Sequence, residues 1–92
     1  MQVNRYFEDH VVSVGFENND GTQSVGVMQP GTYTFATSQH ETMTVITGSL
    51  TIKRDSDAEF VVFSAGSQFE VPTHQEFEVQ VETPTAYLCH YA

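Results

Sequence analysis

A chain of 92 residues supports one hydrophobic core and not two, so residues 1–92 are read as a single domain. The composition is that of a globular protein, 39% hydrophobic and 12% aromatic. A formal charge of −9, with only Arg5, Lys53 and Arg54 as cations, repels polyanions and excludes nucleic acid and anionic membrane as partners. No stretch approaches the roughly 18 apolar residues of a membrane helix, and MQVNRYFEDHVVSVGF lacks a signal-peptide core, so a cytoplasmic location is expected.

Short runs rich in Val, Thr, Phe and Tyr recur between turn signals, and helical periodicity is absent, which predicts an all-β barrel of about nine short strands. The run HVVSVGF from His10 reaches Asn18-Asn19-Asp20-Gly21, where Asp-Gly predicts a hairpin into QSVGVM. After Pro30-Gly31, a strand places Tyr33, Phe35 and Thr37 on one face and Thr32, Thr34 and Ala36 on the other. Thr42 to Thr47, the turn at Gly48-Ser49 and Leu50 to Lys53 read as a second hairpin, followed by the charged loop RDSDAE. EFVVFSAG, SQFEVP, EFEVQVE and TAYLCHYA complete the strands. Within EFEVQVE, Phe77, Val79 and Val81 alternate with Glu76, Glu78, Gln80 and Glu82, so these carboxylates form a solvated outer face and not an acid/base pair. Cys89 is the single cysteine and is expected to pack as a small hydrophobe. A barrel this small gains buried area by pairing, so a homodimer is expected.

Two spacings carry the functional argument. Gly31, Glu41 and Gly48, with six residues between the last two, fit the scaffold positions of the first cupin signature, and Gly66-Ser67-Gln68-Phe69-Glu70-Val71-Pro72 fits the opening of the second. The histidine ligands of those signatures are missing: Phe35 to Thr37 stand at the first pair and Phe77 at the last. A transition-metal site of that class needs three imidazoles and a carboxylate converging on one point. His10, His40, His74 and His90 lie on separate segments without such spacing, so no metal is expected.

From Asn4-Arg5-Tyr6-Phe7 to Tyr87-Leu88-Cys89-His90-Tyr91 the chain resembles the small single-domain pyrimidine/purine nucleoside phosphorylase family, most specifically in SVGVMQPGTYTF, ETMTVITGSL, AGSQFEVPTHQEFEVQV and PTAYLCHYA. The resemblance implies a single-domain, metal-independent cupin with an RmlC-like jelly roll. It implies cleavage of uridine, cytidine, thymidine, adenosine, guanosine, inosine and xanthosine with inorganic phosphate as co-substrate. The products are the free base and ribose 1-phosphate, with no other cofactor.

Such a reaction passes through a transition state with oxocarbenium character, so the site must hold phosphate, orient the ribose and stabilise the departing base. Glu41 and Met43 share a face with Val45, and an inward Glu41 can accept hydrogen bonds from ribose hydroxyls; the alternative is a structural bond to loop amides. Tyr33, Phe35, Phe69 and Phe77 are the aromatic candidates for stacking on a base, which tolerates any base because each presents a π face. Thr37, at a lost ligand position, is taken with them as substrate-binding. Lys53 and Arg54 sit beside Asp55, Asp57 and Glu59 and are read as solvated, which leaves Arg5, His74 and His90 for phosphate or the leaving base. His74 is the choice for catalysis beside Glu41, and His90 for binding if it faces inward. The competing reading is a non-catalytic small-molecule-binding cupin, favoured by the scarcity of cations.

Overall fold

The hairpin at Asn18 to Gly21 forms as its sequence predicts, in a computed structural model that describes residues 1–92. Strand β2 (Val11–Asn18) pairs antiparallel with β3 (Gly21–Met28), and Gly21 takes the positive φ of the turn at 109°. Eight further strands follow the same logic: β1 (Gln2–Tyr6), β4 (Gly31–Ala36), β5 (Glu41–Thr47), β6 (Ser49–Lys53), β7 (Val61–Ser64), β8 (Gln68–Val71), β9 (Glu76–Val81) and β10 (Thr85–Tyr91). They form two sheets, ordered β1-β2-β3-β10-β5-β8 and β4-β9-β6-β7.

The count is ten where the sequence suggests about nine. The additional strand is β1, which buries none of its side chains and so shows no apolar alternation; the backbone ladder to β2 alone defines it. The second expected hairpin does not exist. β5 pairs with β10 and β8, β6 pairs with β9 and β7, and the single residue Gly48 carries the chain from one sheet to the other. Met43 and Val45 on β5 and Leu50 and Ile52 on β6 are all buried, and the two strands face one core from opposite walls. Gly48 has φ 89°, and a Cβ there would overlap Thr85 Oγ1 and lie 3.0 Å from the Pro84 carbonyl oxygen.

One cluster of 14 buried apolar side chains fills the space between the sheets, among them Val11, Met28, Val71, Phe77 and Val79. Each fully buried aliphatic contributes about 1.5–3 kcal/mol relative to exposure. The expected alternation on β9 holds, with Phe77, Val79 and Val81 buried and Glu76, Glu78 and Gln80 exposed. Arg54 departs from its solvated reading: Nε donates to Asp57 Oδ2 at 2.8 Å, Nη2 to Oδ1 at 3.1 Å, and the guanidinium lies 5.4 Å over the Phe63 ring. This fork holds the Asp57 carboxyl below the usual carboxylate range and fastens the loop that the charge run marks. No helix is long and apolar enough to cross a membrane.

Candidate active site

β5 and β10 lie side by side in register, with Met43 opposite Cys89 and Glu41 opposite Tyr91. Because side chains alternate, Glu41 and Met43 from one strand and Tyr87, Cys89 and Tyr91 from the other point to the same inner face. Gly26 on β3 is the direct partner of Tyr87, and a Cβ there would lie within 2.6 Å of the phenol oxygen, so only glycine leaves room for that ring. On the facing sheet, β4 and β9 set Phe35 directly opposite Phe77, with ring centroids 5.7 Å apart and the planes 28° from parallel.

Between these two walls lies a cavity of about 280 Å³. The six-stranded sheet supplies Glu41 and most of the hydroxyl and thiol groups, from Tyr6, Ser13, Tyr87, Cys89 and Tyr91. The four-stranded sheet supplies Thr34, Phe35, Ala36 and Phe77, and Phe7 closes the mouth with its ring 5.4 Å from Phe35.

Glu41 is the one ionised-type side chain in the lining. The Cys89 thiol donates to its Oε1 at 3.5 Å; no bond to a loop amide holds it. Burial pushes the Glu41 carboxyl above the ordinary carboxylate range, while the Cys89 bond and the nearby His40 act in the opposite sense. Burial raises the Tyr87 phenol to about 12 and pushes the Cys89 thiol and the Tyr91 phenol up as well, so all three stay protonated donors near neutral pH. The Tyr91 hydroxyl is 2.9 Å from Ser24 Oγ, which anchors the outer end of this group.

Four of the residues singled out from sequence meet here: Glu41, Met43, Phe35 and Phe77. The other six do not line the cavity. Tyr33 is buried, and its hydroxyl donates to the Gln29 carbonyl, closing the turn before β4. Thr37 is buried in the loop after β4, where Oγ1 donates to the Pro72 carbonyl at 2.7 Å and accepts from Gln75 N at 3.0 Å, a structural clamp. Phe69 packs into the core with its centroid 4.7 Å from that of Phe63. His74 is exposed in the turn before β9 at φ 58°, its N–H donating to the Thr37 carbonyl at 3.1 Å. His90 lies on the outer face of β10, with Nε2 2.6 Å from the Asp20 carbonyl oxygen, because alternation sends it opposite to Cys89. Arg5 is exposed and faces Asp9 at 3.7 Å.

Sequence reasoning missed Tyr87, Cys89 and Tyr91 as site residues. Their two-residue spacing in TAYLCHYA places them on one face, but only the pairing of β10 with β5 brings that face to Glu41. No three His, Cys, Asp or Glu side chains come together anywhere in the fold.

A match to the family described as pyrimidine/purine nucleoside phosphorylase covers residues 1–91. A protein of that name from Aliivibrio fischeri (strain MJ11) is 58% identical over 91 residues, covering 99% of this chain and 98% of the relative. One from Vibrio cholerae is 53% identical over the same length, covering 99% and 96%. Among solved structures, a protein of unknown function from Vibrio parahaemolyticus superposes with a TM-score of 0.95 at 45% identity, covering 99% and 97% of the two chains. An RmlC-like cupin from Shewanella frigidimarina superposes with a TM-score of 0.75 at 16% identity, covering 96% and 79%, and shows the fold alone. The jelly roll is that of the cupins, and with its length matched end to end and relatives more than half identical, this chain belongs to the pyrimidine/purine nucleoside phosphorylase family.

Proposed function

We propose that the protein cleaves purine and pyrimidine nucleosides with inorganic phosphate, giving the free base and α-D-ribose 1-phosphate, a pentosyl transfer to phosphate. The observation that carries this reading is the division of the cavity: a carboxylate among hydroxyl and thiol donors on one sheet faces a pair of stacked phenylalanines on the other. The base lies against Phe35 and Phe77, which offer a π surface without demanding a hydrogen-bond pattern, as broad base acceptance requires. The ribose lies against β5 and β10, where Glu41 Oε2, not engaged by Cys89, accepts from the sugar hydroxyls. The negative charge beside the ring then favours the positive charge that develops at C1′. Phosphate is held by hydroxyl donors of the lining, Tyr6, Ser13 and Tyr91, and the reaction proceeds without a metal. The same reading places the protein in the cytoplasm, with the Cys89 thiol kept free as a donor to Glu41.

The test is base release from uridine or adenosine in phosphate and in phosphate-free buffer, with ribose 1-phosphate measured alongside. Release that needs phosphate and yields equal base and sugar phosphate is expected. Release without phosphate, or none at all, rejects the proposal. A second reading, a small-molecule-binding cupin without catalysis, is favoured by one observation: no Lys, Arg or His lines the cavity. Nucleoside binding in a calorimeter with no turnover in the same sample decides for it.

The working unit is proposed to be a homodimer. The outer face of the six-stranded sheet carries Val12, Val27 and Ala86 in one row and Val14, Val25 and Leu88 in the next, with Val25 and Val27 more than 40% exposed. A second copy seated on this stripe covers it with a surface of the same chemistry, as two-fold pairing requires. Sedimentation velocity of the parent is expected to show a dimer and that of Val25→Lys/Val27→Lys a monomer. A parent that sediments as a monomer, or a variant that stays dimeric, removes this face as the interface.

A further inference from the structure

Phe7, Glu8 and Asp9, between β1 and β2, hold φ values of 52°, 57° and 69°, one after another in the left-handed region. L-residues visit that region singly, usually as Asn or Asp, because Cβ crowds the following carbonyl; a run that includes a phenylalanine is an outlier. Such backbone strain concentrates at clamps and switch segments, where the surroundings hold it in place.

Little holds it here. His10 N donates to the Phe7 carbonyl at 3.1 Å, and the Arg5–Asp9 ion pair, at 3.7 Å, is solvent-exposed. β1 contributes no buried side chain. What restrains the segment from inside is the Phe7 ring, 5.0 Å from Tyr33 and 5.4 Å from Phe35. Phe7 is also the one lining residue of the cavity that does not sit in a strand.

Small-molecule sites run from roughly 300 to 1,000 Å³, and the cavity, of about 280 Å³, stands at the small end of that range. The two sheets are fixed by their ladders, so the wall able to yield is the turn. We propose that Phe7–Asp9 is a strained cover over the cavity, and that the Phe7 ring lifts off Tyr33 and Phe35 to admit the nucleoside and returns onto its base. This rests on the reading of the cavity as a nucleoside site.

The chain contains no tryptophan, so Phe7→Trp installs a single fluorescent indole in the cover itself. Without ligand, adding Glu8→Gly and Asp9→Gly releases the left-handed strain and favours the closed turn. Acrylamide quenching of the indole then falls by roughly twofold or more. Amide hydrogen exchange, which needs no indole, is compared between the parent and Glu8→Gly/Asp9→Gly. Protection of the His10 amide, which donates to the Phe7 carbonyl, rises about fivefold in the variant, while the β3 and β10 amides are unchanged. Adding uridine and phosphate lowers quenching further.

Exchange and quenching that ignore the glycines overturn the proposal. So does an indole that ignores nucleoside in a sample where phosphorolysis proceeds, an outcome that leaves the phosphorylase reading intact. A response to the glycines in a protein that neither binds nor cleaves nucleosides supports the strained cover and rejects the phosphorylase reading instead. If Phe7→Trp fails to fold, the exchange comparison decides alone.

Discussion

The Glu41→Gln variant is expected to lose about a hundredfold in turnover and to melt at a higher temperature than the parent at neutral pH. Both effects come from one cause. Burial in the cavity disfavours the charged carboxylate and raises the Glu41 pKa above its ordinary value of 4.5. The folded protein therefore binds this proton more tightly than the unfolded chain does. Stability associated with the group is complete below 4.5 and is lost as the pH climbs through the raised folded value. Glutamine has the same shape and carries no charge, so it escapes that loss and the variant gains at neutral pH. It cannot supply the proposed negative charge beside the ribose ring, nor accept at both polar atoms, one from Cys89 and the other from the sugar, so turnover falls. The parent's kcat/KM should also decline on the acid side at a pH above the usual carboxylate range, and the decline should vanish in the variant. Parental turnover in Glu41→Gln, or a lower melting temperature than the parent at pH 7, would remove the buried charge as the site's working group.

Gly48→Ala is expected to cost about 3 kcal/mol or more, with a melting temperature roughly 12–20 °C lower. The position combines φ 89° with contact against Thr85 and the Pro84 carbonyl, so the added methyl meets both backbone strain and overlap. Thr85 cannot step aside freely. It is fully buried, its Oγ1 donates to the Ser49 carbonyl at 3.0 Å, and Ser49 N donates back to Oγ1 at 3.2 Å. Calorimetric or fluorescence melting gives the answer, and a shift under about 3 °C would mean that the chain turns this corner another way.

The role of Gly48 also shows where sequence reading stops. Alternation along EFEVQVE and TYTFAT fixes which side chains face inward, because period two is local and depends on no partner. The same pattern in ETMTVITGSLTIK is equally compatible with a hairpin and with a change of sheet. Both place Met43, Val45, Leu50 and Ile52 in the interior, and only long-range pairing separates them. The site follows this division. Glu41, Met43, Phe35 and Phe77 are legible because signature spacing and alternation mark them. Tyr87 and Cys89 acquire meaning from the neighbouring strand β5, and Tyr6 and Phe7 from a β1 that has no buried face to betray it. Arg54 is misread for a related reason: in a charge run, composition does not reveal that Asp57 returns to the guanidinium with both oxygens.

The pairing of Phe35 with Phe77 has an evolutionary consequence. The two rings are register partners on β4 and β9, in a sheet that shares no ladder with the strands carrying Glu41 and Cys89. Exchanging this one aromatic pair reshapes the surface proposed to meet the base and leaves the hydrogen bonds of the opposite wall untouched. On the proposed reading, selectivity among bases and the chemistry at the sugar are thus separately heritable traits of the same small barrel.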